Sequence, residues 1–153
     1  MINLDQLNDF ILAAKAATYI GDGEPTTSCR LGSHDLAYEA GDYRYLDSYF
    51  GGSDFIGEEV VYHQDYPVWG MNYYGKLLKP DMISPEEVGM MLKVSLSRMY
   101  EAGRFLGGWS HTHDGLSYHD TSQGSLDHFS GREWIEKNGQ IVYELVYQGG
   151  LIK

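Results

Sequence analysis

The sequence has a single cysteine, Cys29, which rules out an intrachain disulfide and a multi-cysteine zinc site and suits a reducing compartment. Positive charge is scarce. Lys and Arg total 11 against 22 Asp and Glu, giving a net charge of -11 and a pI near 4.8. That is the wrong sign for gripping a phosphate backbone or an anionic membrane, so no direct nucleic-acid or membrane partner is expected. Long apolar runs are also missing: Asp5 and Asp9 lie near the start, no basic start precedes them, and Lys15 interrupts the one apolar stretch. Neither a signal peptide nor a spanning helix is legible, and a cytoplasmic location is expected. The turn-forming run from Gly21 to Ser33 is too short and irregular for a Gly-x-Gly-x-x-Gly nucleotide loop. There is no Gly-x-Ser-x-Gly elbow, and Cys29 has no identifiable partner histidine. No cofactor is expected.

What is present is enough to fold. Hydrophobic residues make up 42% and aromatics 14%, with 13 tyrosines, which argues against disorder. The 153 residues match one ordinary domain, 1–153. From Asn3 to Ala17 the apolar residues Leu4, Leu7, Ile11 and Ala14 recur at helical spacing, with Asn3 and Gln6 set as a capping box. A second helix opens at Ser84-Pro85-Glu86-Glu87, carries Val88, Met91, Leu92, Ser95, Leu96 and Met99 on its buried stripe, and stops near Gly103. Strands are expected around Leu36–Ala40, over Tyr43–Phe50, Phe55–Tyr62 and Pro67–Tyr74, and again over Phe129–Glu136 and Gln140–Tyr147. The polar stretch from Gly107 to Ser125 reads as a mobile loop with a short strand near Tyr118.

An offset of 74 residues aligns Phe55 with Phe129 and runs without a gap to Leu77 and Leu151. It matches Gly57 with Gly131, Glu59 with Glu133, Val61 with Ile135, Trp69 with Tyr143, and Tyr73 with Tyr147. Paired Gly and Glu are not strand formers, so their recurrence reads as an internal repeat. The expected fold class is therefore α+β, with two related helix-plus-antiparallel-strand halves, about 1–78 and 79–153, around a pseudo-twofold axis. The alternative is a single curved antiparallel sheet with both helices on one face and no internal symmetry. A two-residue turn at Asn138-Gly139 would set Glu133 opposite Glu144, a like-charge pair. A three-residue loop is expected instead, pairing Glu133 with Tyr143 and Phe129 with Tyr147, and by analogy Glu59 with Trp69 and Phe55 with Tyr73. Each segment then sets one carboxylate beside an aromatic ring, with a glycine leaving space two residues away.

Ser33-His34-Asp35-Leu36, Tyr45-Leu46-Asp47-Ser48-Tyr49, Phe55-Ile56-Gly57-Glu58-Glu59, Pro67-Val68-Trp69 with Met71-Asn72-Tyr73, and Val142-Tyr143-Glu144-Leu145 with Gly149-Gly150 carry a family resemblance over nearly the whole chain. The sequence resembles an uncharacterised bacterial domain family sometimes fused behind a lambda-repressor-like (XRE-type) helix-turn-helix. The resemblance implies no activity, and with no helix-turn-helix segment in this sequence it implies no DNA binding.

Glu59 and Glu133 are the leading site candidates, because a carboxylate on an otherwise apolar face needs a cation, a donor or a proton. Trp69, Tyr73, Tyr143 and Tyr147 share that face and are expected to line a ligand-binding pocket with them. His111 and His113 sit at period-two spacing near His119 and Asp114, but no set of ligands completes a zinc site, and no metal is expected. No residue is assigned as catalytic. The leading expectation is a sensor-like small-molecule-binding domain for organic cations. The alternatives are a hydrolase or isomerase using a Glu as general acid or base, and an interaction module that docks a protein or a second copy through a Tyr-rich face.

Overall fold

Local chemistry sets both helices. In the computed structural model, which describes residues 2–153, α1 spans Leu4–Ala17 and its N-cap Asn3 accepts hydrogen bonds from the backbone N–H groups of Asp5 and Gln6. Helix α2 spans Pro85–Glu101. Ser84 and Glu87 close a full capping box at its start, and Gly103, at φ 82°, turns the chain out after it. Both stripes are buried: Leu7, Phe10, Ile11 and Ala14 on α1, and Val88, Met91, Leu92, Ser95 and Met99 on α2.

The rest is sheet. The strands are β1 (Pro25–Thr26), β2 (His34–Ala40), β3 (Tyr43–Gly51), β4 (Phe55–His63), β5 (Tyr66–Leu77), β6 (Trp109–His113), β7 (Leu116–Ser125), β8 (His128–Lys137) and β9 (Gln140–Leu151). They form one antiparallel sheet in the order β1-β2-β3-β4-β5-β9-β8-β7-β6. This corrects the expected α+β class with two helix-plus-strand halves. Strands β5 and β9 pair from Trp69↔Leu151 to Leu77↔Tyr143, so the sheet is continuous and the fold is predominantly β, about half strand and a fifth helix. Two such halves would each need their own layered core. Here Leu7, Ile11, Met91 and Leu92 pack with Val61, Trp69, Ile135 and Tyr143 in one shared core. The single antiparallel sheet with both helices on one face is the architecture found. Gly107–Ser125 is also corrected, because it contains β6, a tight Asp114-Gly115 turn and all of β7.

The hairpin registers differ from expectation in an instructive way. Asn138 and Gly139, at φ 52° and 73°, form the two-residue turn, and Lys137 pairs with Gln140. The like-charge clash is avoided by a bulge between Ile135 and Glu136, which sets Glu133 opposite Leu145 and Gly131 opposite Tyr147. The first hairpin does the same: Gln64 and Asp65 are left-handed, the bulge falls between Val61 and Tyr62, and Glu59 pairs with Met71 and Gly57 with Tyr73. The register is displaced by two residues from the expected one. A shift of two preserves the face of every side chain.

A Cβ at Gly57 would collide with the Tyr73 ring and hydroxyl, and one at Gly131 with the Tyr147 ring. Each tyrosine therefore lies flat across the neighbouring strand. Gly57→Ala and Gly131→Ala are expected to destabilise the fold by about 1–3 kcal/mol each by overpacking. Gly52→Ala, where nothing lies within 4 Å, should be near neutral. Urea denaturation midpoints compare the three; equal midpoints would show that the rings do not need the space.

Candidate functional site

On the face covered by the helices, alternation raises Asp47 from β3, Glu59 from β4, Asp120 from β7 and Glu133 from β8. Asp47 is the direct cross-strand partner of Glu59, and Asp120 of Glu133. Like charges so placed repel, and all four residues are buried, at 6–7% exposure. Each is answered by a donor. The Tyr73 hydroxyl donates to Asp47 Oδ1 at 2.6 Å, having crossed above Gly57 to reach two strands away. Tyr147 crosses Gly131 in the same way and donates to Asp120 at 3.0 and 3.1 Å. Glu133 accepts from Tyr118 at 2.6 Å and Tyr143 at 3.1 Å. Among the described residues, Glu59 alone of the four has a cation, the Lys15 ammonium at 2.6 Å.

These groups line a cavity of about 270 Å³ between the sheet and the two helices. Met71, Tyr73, Leu145 and Tyr147 belong to its sheet side, Lys15 and Tyr19 come from α1 and its end, and Leu92, Leu96 and Tyr100 come from α2. Lys15 Nζ also lies 5.1 Å from the centre of the Phe105 ring, a carboxylate-plus-aromatic seat for an ammonium. The Tyr100 hydroxyl has no hydrogen-bond partner among the described residues. Burial pushes its ionisation well up, and the charges of Glu59, Glu133, Asp120 and Asp47 add to the shift.

Electrostatics follow from that crowding. Burial, reinforced by Glu59, raises the Asp47 carboxyl from 3.8 to about 7 despite the Tyr73 hydrogen bond and Lys15. Burial, opposed by Tyr118 and reinforced by Asp120, raises Glu133 from 4.5 to about 7. Burial raises Asp120 to about 6 against the pull of Tyr147, Lys15 and Arg104. Near neutral pH the cavity thus holds carboxyls poised between charged and neutral, able both to attract a cation and to exchange protons.

Of the residues expected from sequence, Glu59, Glu133, Tyr73, Tyr143 and Tyr147 line the cavity. Trp69 does not: it is fully buried, stacks on Phe129 and donates its indole N–H to the Leu126 carbonyl at 3.1 Å. Sequence reasoning did not single out Asp47, Asp120, Lys15 or Tyr100. Alternation of Tyr43, Tyr45, Asp47 and Tyr49 carried the signal for Asp47, and Lys15 stands four residues after Ile11 on the buried stripe of α1. Asp120 fell in the stretch read as a loop. His111 and His113 stack at 6.4 Å on β6, and no cluster of potential metal ligands exists among the described residues.

Two other features lie off this cavity. On the helix-free face a wide trough of about 1020 Å³ is lined by Arg30, Ile56, Tyr74, Arg132 and Val146, with Ile56 54% and Val146 51% exposed. Beside it, buried Asp35 accepts from the hydroxyls of Ser33 and Ser48 and the backbone N–H of Cys29; these bonds outweigh burial and hold it down to about 2. It has all the donors it needs and reads as a structural clasp.

Among families of known proteins, one described as "Domain of unknown function (DUF5680)" fits residues 47–152, which takes in all four cavity-lining carboxylates, from its first residue, Asp47, through Glu59 and Asp120 to Glu133. No curated protein and no solved structure matches the chain. No described helix is long and apolar enough to cross a membrane.

Two stability experiments follow from the partners. Lys15→Met leaves Glu59 buried without its cation and should cost about 3–5 kcal/mol, whereas Lys15→Met combined with Glu59→Gln should recover most of that loss. Additive losses in the double variant would show that the pair is not coupled. At Glu133, Gln keeps an acceptor for the tyrosines while Leu strands the hydroxyls of Tyr118 and Tyr143, at about 1–3 kcal/mol each. Melting curves should rank wild type and Glu133→Gln above Glu133→Leu; a more stable Leu variant would identify Glu133 as a misplaced core charge.

Proposed function

The chain belongs to the DUF5680 family, domains of unknown function, so its role has to be read from the cavity, and we propose that it is a sensor-like small-molecule-binding domain whose acidic, aromatic pocket takes an organic cation. The observation that carries this reading is the imbalance of charge in one cavity: four carboxylates around about 270 Å³, with Lys15 the only ammonium among the described residues paired with any of them. Lys15 also serves as an internal example of the chemistry, since its ammonium is seated by Glu59 and the face of Phe105 as a ligand's would be. The volume lies just below the usual range for drug-sized ligands and suits a small molecule. The shared turn, bulge and register of the Phe55–Leu77 and Phe129–Leu151 hairpins support reading the pocket as built twice from one template. The resemblance to domains fused to helix-turn-helix regulators fits a sensor role, and a lone cysteine fits a cytoplasmic setting.

A second reading is favoured by the carboxyls held near neutrality: Glu133 or Asp47 as general acid or base of a hydrolase or isomerase. Turnover of a ligand identified by binding, abolished in Glu133→Gln, would move the protein into that class.

Both pH and binding test the cation reading. Asp47, Asp120 and Glu133 have folded values above their unfolded ones, so the folded state holds extra protons between about 4 and about 7. Their contribution to stability is full below about 4 and is lost as pH rises through about 6 to 7. A bound ammonium favours the ionised forms, so affinity for a small alkylamine should rise across that same window, with proton release on binding. Calorimetric titration in buffers of different ionisation enthalpy reads both. Affinity independent of pH from 5 to 8, or no thermal stabilisation by any of a broad panel of amines, would overturn the reading.

A further inference from the structure

The four carboxylates are not evenly spread around the cavity. Asp47 and Glu59 rise together from β3 and β4, and Asp120 and Glu133 rise together from β7 and β8. Between the two pairs lie β5 and β9, whose Tyr73 and Tyr147 are direct cross-strand partners. Glu59 lies opposite Met71 and Glu133 opposite Leu145, the partner of Gly75, so three strand steps across and four residues along put the two roughly 20 Å apart on a flat sheet at the backbone, while both side chains line the one cavity. The cavity therefore has two acidic ends joined by a floor of Met71, Tyr73, Leu145 and Tyr147. Among the described residues Lys15 forms its ion pair with Glu59, while its charge also pulls on Asp47, Asp120 and Glu133 from further off. Asp47 at one end, and Asp120 with Glu133 at the other, form no ion pair among the described residues, and Tyr100 lines the same cavity.

We propose that the pocket selects a doubly charged ligand, a small aliphatic diamine whose one ammonium meets Asp47 and whose other meets Asp120 and Glu133, with Lys15 remaining on Glu59. The inference rests on the reading of the cavity as an organic-cation site and specifies its ligand class. A monocation can form a direct ion pair at one end only and forgoes the one at the other, which a second ammonium gains. A diamine answers both ends, and its methylene chain lies on the Met71 and Leu145 side chains and the tyrosine rings. No group of three or more potential metal ligands comes together among the described residues, so the two pairs do not form one metal site. With Glu59 paired to Lys15, three carboxyls remain to receive two ammonium groups.

The test is titration calorimetry of the full chain at mildly alkaline pH and moderate salt, with a series of α,ω-diamines of increasing length beside n-alkylamines of the same length. We expect the diamines to bind at least about tenfold tighter than the matched monoamines, equivalent to about 1.4 kcal/mol, with a clear optimum of chain length. In Asp47→Asn, and separately in Asp120→Asn, that ratio should fall to within about twofold. The exposed variant Glu24→Gln should keep the wild-type ratio, which separates the pocket from general attraction to an acidic surface. Monoamines that bind as tightly as diamines, or a diamine advantage that grows with length without an optimum, would overturn the two-ended site while leaving the cation pocket standing. No binding by either series would overturn both. The wild-type comparison decides the matter even if a variant fails to fold.

Discussion

The desolvation of carboxylates on a sheet face is the constraint around which the rest of this molecule is arranged. Taking one such group out of water costs several kcal/mol unless its charge is neutralised or its lone pairs are met, and here four buried ones line a single cavity. Tyr73, Tyr118, Tyr143 and Tyr147 supply hydroxyl donors and Lys15 supplies a charge, and the compensation is partial: three of the four carboxyls are raised in consequence. A sheet built for stability alone would place leucine there. Retaining acids at that cost is the physical argument that the enclosure has work to do.

That arrangement reaches back into the backbone. Tyr73 and Tyr147 reach Asp47 and Asp120 only because Gly57 and Gly131 leave the intervening strand bare, and the acids face inward only because each hairpin is bulged before its turn. The helices complete the enclosure. α1 reaches it through Lys15, whose methylene stem runs within the protein while its ammonium meets Glu59, and α2 through Leu92, Leu96 and Tyr100.

Much of this was legible in the residues, though not all at the same resolution. Capping boxes and apolar stripes located both helices, because such signals are local. Alternation assigned Glu59, Glu133, Tyr73, Tyr143 and Tyr147 to one face, since face depends only on parity. Pairing was not legible: whether Glu133 faces Tyr143 or Leu145 turns on a bulge, and nothing in Ile135-Glu136 announces one. Sheet closure was likewise hidden, because the pairing of β5 with β9 joins segments far apart in sequence and leaves no periodic trace. Asp120 escaped notice because the Ser, Thr, Gly and His content of Gly107–Ser125 resembles loop chemistry, while the decisive feature was the alternation of Leu116, Tyr118 and Asp120. Trp69 shows the converse limit. Parity placed it on the correct face, and only packing decides which residues of a face meet a cavity and which meet the core.

The seam between β5 and β9 has a kinetic meaning as well. Each flanking hairpin can zip from its own two-residue turn, but the seam pairs Leu77 with Tyr143 and encloses every residue from 78 to 142 in a single loop. Closing so large a loop carries an entropic penalty before any seam contact repays it, and topologies of this kind fold slowly. Until β9 arrives, β5 presents an unpaired edge with Met71 and Tyr73 uncovered, a template for another chain. The strand pair that forms the floor of the cavity is thus also the place where a nascent or heat-stressed molecule is most exposed to aggregation, and anything bound across it would act as a clamp on the last step of assembly.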